Sequence, residues 1–218
     1  GTPVPVDVSW PPSAPQREPR MLLPLLTILI AGTSHVGKST LAGLLSEKLG
    51  CEAISTDSLA RHPGRPWPGI PAPVEDYYTQ LSAETIHWFL KVHHQNIWPL
   101  IRSLIDNTSG TGNPAIFEGA ALRPEFISPL LGGTVAGVFL HAGNDFLLER
   151  MRSHAQYDDA TASQRQIMDA FIERSLRENT EMLASAQQHH LPVVDVTKPQ
   201  ALETLVADLA ARAATSSS

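Results

Sequence analysis

Residues 22–30, Leu-Leu-Pro-Leu-Leu-Thr-Ile-Leu-Ile, run without a break into residues 31–40, Ala-Gly-Thr-Ser-His-Val-Gly-Lys-Ser-Thr. The first stretch has the length and aliphatic content of a buried strand. The second is small and polar, and ends in a lysine and two hydroxyls. Few folds let a core strand empty into such a loop. Glycines allow the chain to curl so that successive backbone N–H groups converge on one point. A helix beginning there adds its positive end. Gly32, Thr33, Ser34, His35, Val36, Gly37, Lys38 and Ser39 fit the spacing G-x-x-x-x-G-K-[ST], and Thr40 follows inside the helix. The expected ligand is a nucleoside triphosphate, with Lys38 reaching its β and γ phosphates and Ser39 holding Mg²⁺.

The same apolar run is too short to span a bilayer. It meets the loop motif where a signal peptide would need a cleavage site. No membrane partner is expected. A formal net charge of −6 argues against a general nucleic-acid binder. The single cysteine, Cys51, excludes an intrachain disulfide and suits a reducing cytoplasm. Residues 1–20 are rich in proline and read as a disordered leader, with Met21 as a candidate start. Residues 21–218 read as one domain. A monomer and a homodimer both remain open.

Apolar runs alternate with helical patterns along that domain. Strands are expected at residues 24–32, 51–56, 114–120, 134–142 and 191–196. Helices are expected at 37–50, 82–107, 144–154, 163–190 and 199–214, with Pro99 a possible break in the second. Five prolines in residues 61–73 make that stretch a loop. The pattern predicts an α/β fold of three layers, a five-stranded, mostly parallel sheet with helices on both faces. Ligands then bind beyond the carboxyl ends of the strands. That places residues 31–40, Asp57 and Glu118 around one crevice.

Asp57 ends the second strand in Ile-Ser-Thr-Asp-Ser. It is either a helix cap or a carboxylate facing the γ-phosphate, able to take a proton from a hydroxyl. Arg61, His62, Arg65 and Trp67 follow on a proline-set loop and belong near the acceptor. Glu118 closes the third strand in Ala-Ile-Phe-Glu-Gly, and Arg123 follows, placed either as an anion clamp or as a surface arginine. Arg150 and Arg152, with Arg165, Arg174 and Arg177, are candidate lid arginines, although the first two point about 200° apart on a helix. His93, His94, His189 and His190 read as surface residues.

The loop motif in this strand–helix context resembles the P-loop NTPase superfamily. No late N-K-x-D occurs, which favours ATP over GTP, and Val-Thr-Lys-Pro (196–199) stands where such kinases lay a loop against adenine. The segments around Asp57 and around Glu118 and Arg123 resemble small-molecule kinases of the 2-phosphoglycerate kinase-like, zeta-toxin-like and chloramphenicol phosphotransferase-like kind. The resemblance implies a kinase that transfers the γ-phosphoryl of ATP, with Mg²⁺, to a hydroxyl of a metabolite, nucleoside or antibiotic. Asp57 would be the base, and Lys38, Arg150 and Arg152 would stabilise the transferred group. Arg61, Arg65, Trp67, Glu118 and Arg123 would face the acceptor. A nucleotide-sugar kinase and a nucleotide-dependent switch with slow hydrolysis are the alternatives.

Residues 1–20 bury too little apolar area to offset the cost of ordering them. A chain beginning at Met21 should keep the melting temperature and ATP affinity of the full chain. A drop in either would show that the leader packs on the domain.

Overall fold

The computed structural model describes residues 27–60, 62–109 and 113–214. The leader, Arg61 and the start of the first expected strand lie outside the described residues. Five strands form one sheet: β1 (Thr27–Ala31), β2 (Glu52–Ser55), β3 (Ala115–Gly119), β4 (Val135–His141) and β5 (Val193–Asp195). Their order is β2-β3-β1-β4-β5, and every pairing is parallel. Seven α-helices accompany them among the described residues: α1 (Lys38–Leu49), α2 (Ala72–Gln80), α3 (Ala83–Ser109), α4 (Pro124–Ile127), α5 (Asn144–Ala155), α6 (Ala162–Gln188) and α7 (Pro199–Ala214). The expected three-layer α/β architecture is present. None of the described helices is long and apolar enough to cross a membrane.

The period-2 pattern of the strands builds the two faces. Ile28 and Ile30 of β1 face one side, with Leu41 and Leu45 of α1, Leu147 and Met151 of α5, and Leu209 of α7. Leu29 and Ala31 face the other, with Ile101 and Ile105 of α3 and Ile127 of α4. Helix α6 belongs to both faces. Ile167, Phe171 and Ile172 in its first half join the first core, and Met182 and Ala186 in its second half join the other. It therefore passes over the carboxyl edge of the sheet, where the β1 and β4 connections begin.

Local rules explain most element ends. Gly50 closes α1 in a left-handed conformation, its N–H bonded to the Ser46 carbonyl. Thr161 and Gln164 form a capping box at the start of α6. Two features depart from expectation. Helix α2 arises just after the proline loop, with Pro73 in its first turn, where a missing N–H costs nothing. Pro99 does not break α3, which continues through it as one helix.

Gly119 places the second half of the site. At φ +154° a Cβ there would stand 1.9 Å from Thr56 Oγ1 and 3.3 Å from Asp57 Oδ1. Only glycine lets β3 and the turn after β2 approach so closely. Gly119→Ala should overpack this contact at a cost of about 1–3 kcal/mol. The melting temperature should fall by roughly 2–12 °C. An unchanged melting curve would show that the turn moves aside freely.

Candidate active site

The loop between β1 and α1 has the curl its sequence demands. Gly32, His35 and Gly37 have φ of 151°, 64° and 100°. A Cβ on Gly32 would meet Val36 Cγ1 at 2.8 Å and the Leu140 carbonyl at 2.9 Å. Lys38 is buried, and its Nζ donates to the Thr33 carbonyl at 2.8 Å. Burial lowers its pKa, opposed by the charges of Asp57 and Glu118. Thr33 Oγ1 donates to the Ser175 carbonyl of α6 at 3.1 Å.

Ser39 Oγ donates to Glu118 Oε1 at 3.1 Å. Glu118 is 4% exposed, and its Oε2 is buried without a partner. A hydroxyl and an under-satisfied carboxylate beside the phosphate loop are the hard oxygen donors that Mg²⁺ prefers. The residues present fit that ion.

Two cavities flank the loop. The first, about 460 Å³, is lined by Thr33, Ser34, Asp57, His62, Gly64, Arg65, Phe171, Arg174, Ser175 and Glu178, with Ala60, Leu90 and Ala120. The second, about 480 Å³, is more apolar. Val36, Gly37, Thr40, Leu41 and Leu44 border it from the loop and α1, Arg150 from α5, and Val196, Leu202 and Val206 from the β5–α7 side. Leu44, exposed at 53%, has its place as a wall of this cavity.

Asp57 is exposed at the first cavity, inside a 3₁₀ turn, Thr56–Ser58. The preceding residue, Ser55, makes no side-chain cap bond. No α-helix starts there, so the cap role weighed from the sequence has no helix to serve. The proline loop folds over the cavity. Tyr78 Oη reaches the carbonyls of Pro63 and Gly64 at 2.9 and 2.7 Å. Trp67 Nε1 donates to His154 Nδ1 at 3.1 Å, and His35 Nε2 lies 3.1 Å from the same nitrogen. One tautomer pattern lets both donors share the single lone pair of that nitrogen. His154 Nδ1 accepts, His35 carries its proton on Nε2, and His35 Nδ1 accepts from Ser34 Oγ at 2.9 Å. The proline loop, the β1–α1 loop and α5 are thereby fastened together.

Several candidates from the sequence stand elsewhere. Arg152 points away from the loop, its guanidinium 4.7 Å from the centre of the Tyr157 ring. Arg165 bonds the Tyr157 and Asp158 carbonyls, and Arg177 pairs with Glu84 and Glu181. Arg123 is neither surface nor open. It is 4% exposed and held by Glu125 at 2.5 Å and by Glu178. His94 is buried at 1% exposure, not a surface residue, because α3 turns it toward Glu178, 3.9 Å away. His189 and His190 are exposed as expected. Phe171, Ser175 and Glu178 were not foreseen as site residues. They lie mid-helix with no motif, and only the passage of α6 over the sheet edge brings them there.

His87, Glu178 and Glu181 have the spacing of a metal group. Lys91 already lies 3.3 Å from Glu181, and Arg123 holds Glu178. The cluster is an ion-pair network with His87 Nε2 2.9 Å from Glu181 Oε2.

No protein-family model matches the chain, and no curated protein matches its sequence. Solved structures do match its fold. A sugar kinase from Janibacter sp. HTCC2649 is 18% identical with a TM-score of 0.54, covering 89% of this chain and all of that one. A gluconokinase from Sinorhizobium meliloti 1021 is 21% identical with a TM-score of 0.50, covering 87% and 91%. The chain shares its fold with these two kinases.

Burial lowers the pKa of His35 and of His62 to about 4, helped by His154 and Arg65 at the first and by Arg174 at the second. Burial also holds His94 well below its ordinary value. These rings stay neutral in the fold and protonate near 6.5 when unfolded. Between about pH 6.5 and 4 the unfolded chain binds more protons, so stability should fall as pH falls through that window and be full above it. His62→Gln should flatten the fall of melting temperature between pH 7 and 4.5 at constant ionic strength. An unaltered slope would remove His62 from this account.

Proposed function

We propose that this chain is an ATP-dependent phosphotransferase that moves the γ-phosphoryl group to a hydroxyl of a small molecule. One observation carries the reading: the phosphate loop separates two cavities of similar size, one apolar and one polar with a carboxylate at its edge. A two-substrate enzyme needs such a pair, with the transferred group between them. A switch protein needs only the nucleotide side.

The apolar cavity takes the base and ribose. Val196, at the start of the segment marked in the sequence, forms one wall, and Arg150 of α5 stands at another. The N–H groups of residues 32–39 and the positive end of α1 hold the phosphate chain. Lys38 exchanges its bond to the Thr33 carbonyl for the phosphates and balances charge in the transition state. Ser39 and Glu118 would hold Mg²⁺, which would supply neutralising charge to the phosphate oxygens. In the polar cavity Asp57 accepts the proton of the attacking hydroxyl, and Arg65 and Trp67 close the proline loop over it. Clasping that loop through His154 excludes water that would otherwise hydrolyse ATP. A cytoplasmic enzyme, monomeric or homodimeric, suits this chemistry.

Lys38→Ala should lower transfer by on the order of 10²-fold or more while the melting temperature holds, since Lys38 serves charge rather than packing. Asp57→Asn keeps shape and polarity but removes proton affinity. ATP affinity should persist and transfer fall by roughly 10²- to 10⁴-fold, nearer the lower end because a loose phosphoryl transition state needs little base help. Hydroxylated metabolites and antibiotics screened for acceptor-stimulated ADP release supply the assay. Wild-type turnover in Asp57→Asn would remove the base. ATP hydrolysis that no acceptor stimulates would favour the switch.

A further inference from the structure

One cation in the polar cavity lacks a counter-charge. Arg174 sits at the middle of α6, 6% exposed, and lines the cavity. Its Nη1 donates to the Pro63 carbonyl and to Tyr78 Oη, each at 3.0 Å. Its Nε is buried with no partner. Its guanidinium lies 4.7 Å from the centre of the Phe171 ring. Among the described residues, the ion pairs of the other buried arginine, Arg123, are complete, whereas Arg174 is in none.

The chemistry is unusual for a structural arginine. A guanidinium does not shed its proton at neutral pH, so Arg174 remains charged. Neutral oxygens and an aromatic face compensate a buried charge only in part. Glu178 lines the same cavity and feels Arg174, but Arg123 occupies its Oε1, and its Oε2, which has no hydrogen-bond partner, forms no ion pair with Arg174. A second cation, Arg65, lines the same space. Asp57 stands at the phosphate-loop side, and His62 is held neutral by burial. Arg174 and Arg65 therefore place two cations in a cavity whose lining carboxylates are Asp57, at the reacting end, and Glu178, which Arg123 pairs. Neutral sugars and alcohols would leave that charge unanswered. A carboxylate or phosphate monoester answers it with charge-assisted hydrogen bonds.

We propose that the ligand of this cavity is a hydroxylated small molecule that also carries an anionic group, seated on Arg174 with its hydroxyl toward Asp57. Its role as phosphoryl acceptor rests on the kinase reading; its binding does not. The rival source of the same anionic oxygens is the γ-phosphate of the nucleotide. Against that source, Arg174 is bonded to Pro63 and Tyr78, on the proline-loop side of the cavity, and does not border the apolar one.

The test uses the full chain saturated with Mg²⁺ and ADP, so that the phosphate loop is already filled. Melting temperature is measured with D-gluconate against D-glucitol, and with D-ribose 5-phosphate against D-ribose, at matched ionic strength. At least one anion should raise the melting temperature by a few degrees where its neutral partner does not. Arg174→Gln should abolish that shift, and Arg174→Lys should keep part of it. The ratio of ADP to AMP-PNP dissociation constants should stay within twofold of wild type in both. Equal shifts from anions and neutral partners would overturn the proposal, as would no shift at all or a shift that survives Arg174→Gln. A several-fold loss of AMP-PNP preference in Arg174→Gln would assign the arginine to the γ-phosphate instead. The wild-type comparison stands even if a variant does not fold. Anion binding without ADP release from ATP would remove the kinase reading and leave the seat. ADP release stimulated by neutral polyols alone would do the opposite.

Discussion

The hydrogen bond from the Thr33 hydroxyl to the Ser175 carbonyl joins the phosphate loop to the middle of helix α6, and both groups are buried. It marks the place where α6 crosses the carboxyl edge of the sheet. Four residues on, Asn179 Nδ2 donates to the Ala142 carbonyl just past β4 and to Asn144 at the start of α5. A helix of 27 residues is about 40 Å long, enough to serve both cores and roof the gap between them. Without that crossing the β1–α1 loop would lie on an open edge. With it, the loop becomes one wall of a cavity.

A helix laid over a polar site must bury polar groups, and the charges beneath α6 show how this is arranged. Glu178 is 1% exposed, and burial raises its pKa, opposed by the charges of Arg123, His87 and Arg174. Arg123 binds it directly and is itself bound by Glu125, which accepts from Ser185 at 2.6 Å. Removing one member of such a buried pair typically costs about 3–5 kcal/mol, because the other is left charged and dry. The pair fixes α6 against the segment after β3. It engages Glu178 through Oε1, while Arg174 is in no ion pair among the described residues.

The proline loop supplies the remaining wall. Its prolines cannot join a sheet, and their fixed φ limits the shapes the segment adopts. Tyr78, from the helix that follows, collects the Pro63 and Gly64 carbonyls, and Trp67 packs against Phe171 with ring centres 5.0 Å apart. Satisfying those carbonyls matters because an unpaired buried carbonyl costs as much as a lost hydrogen bond. The loop is thus held by α2, α5 and α6 together.

The alternation of aliphatic runs and helical patterns was enough to specify a parallel sheet between two helical layers, since the two periodicities differ. The curl of the β1–α1 loop was equally legible, because glycines at fixed spacing act through local backbone geometry. Asp57 and Glu118 were legible as strand ends, and strand ends share one edge of a parallel sheet. The arginines were not. Arg150, Arg152, Arg165, Arg174 and Arg177 look alike in sequence, and their positions depend on which helical face meets which neighbour. The structure sends Arg152 to Tyr157, Arg177 to Glu84 and Arg123 to Glu178, and sets Arg174 in the wall of the polar cavity. What the sequence by itself determined was the sheet and the curled loop between β1 and α1, both made by short-range rules. What only the tertiary structure decided was the charge of the polar cavity. Charge there is the sum over side chains far apart in the chain, and their pairing exists only once α6 has crossed the sheet.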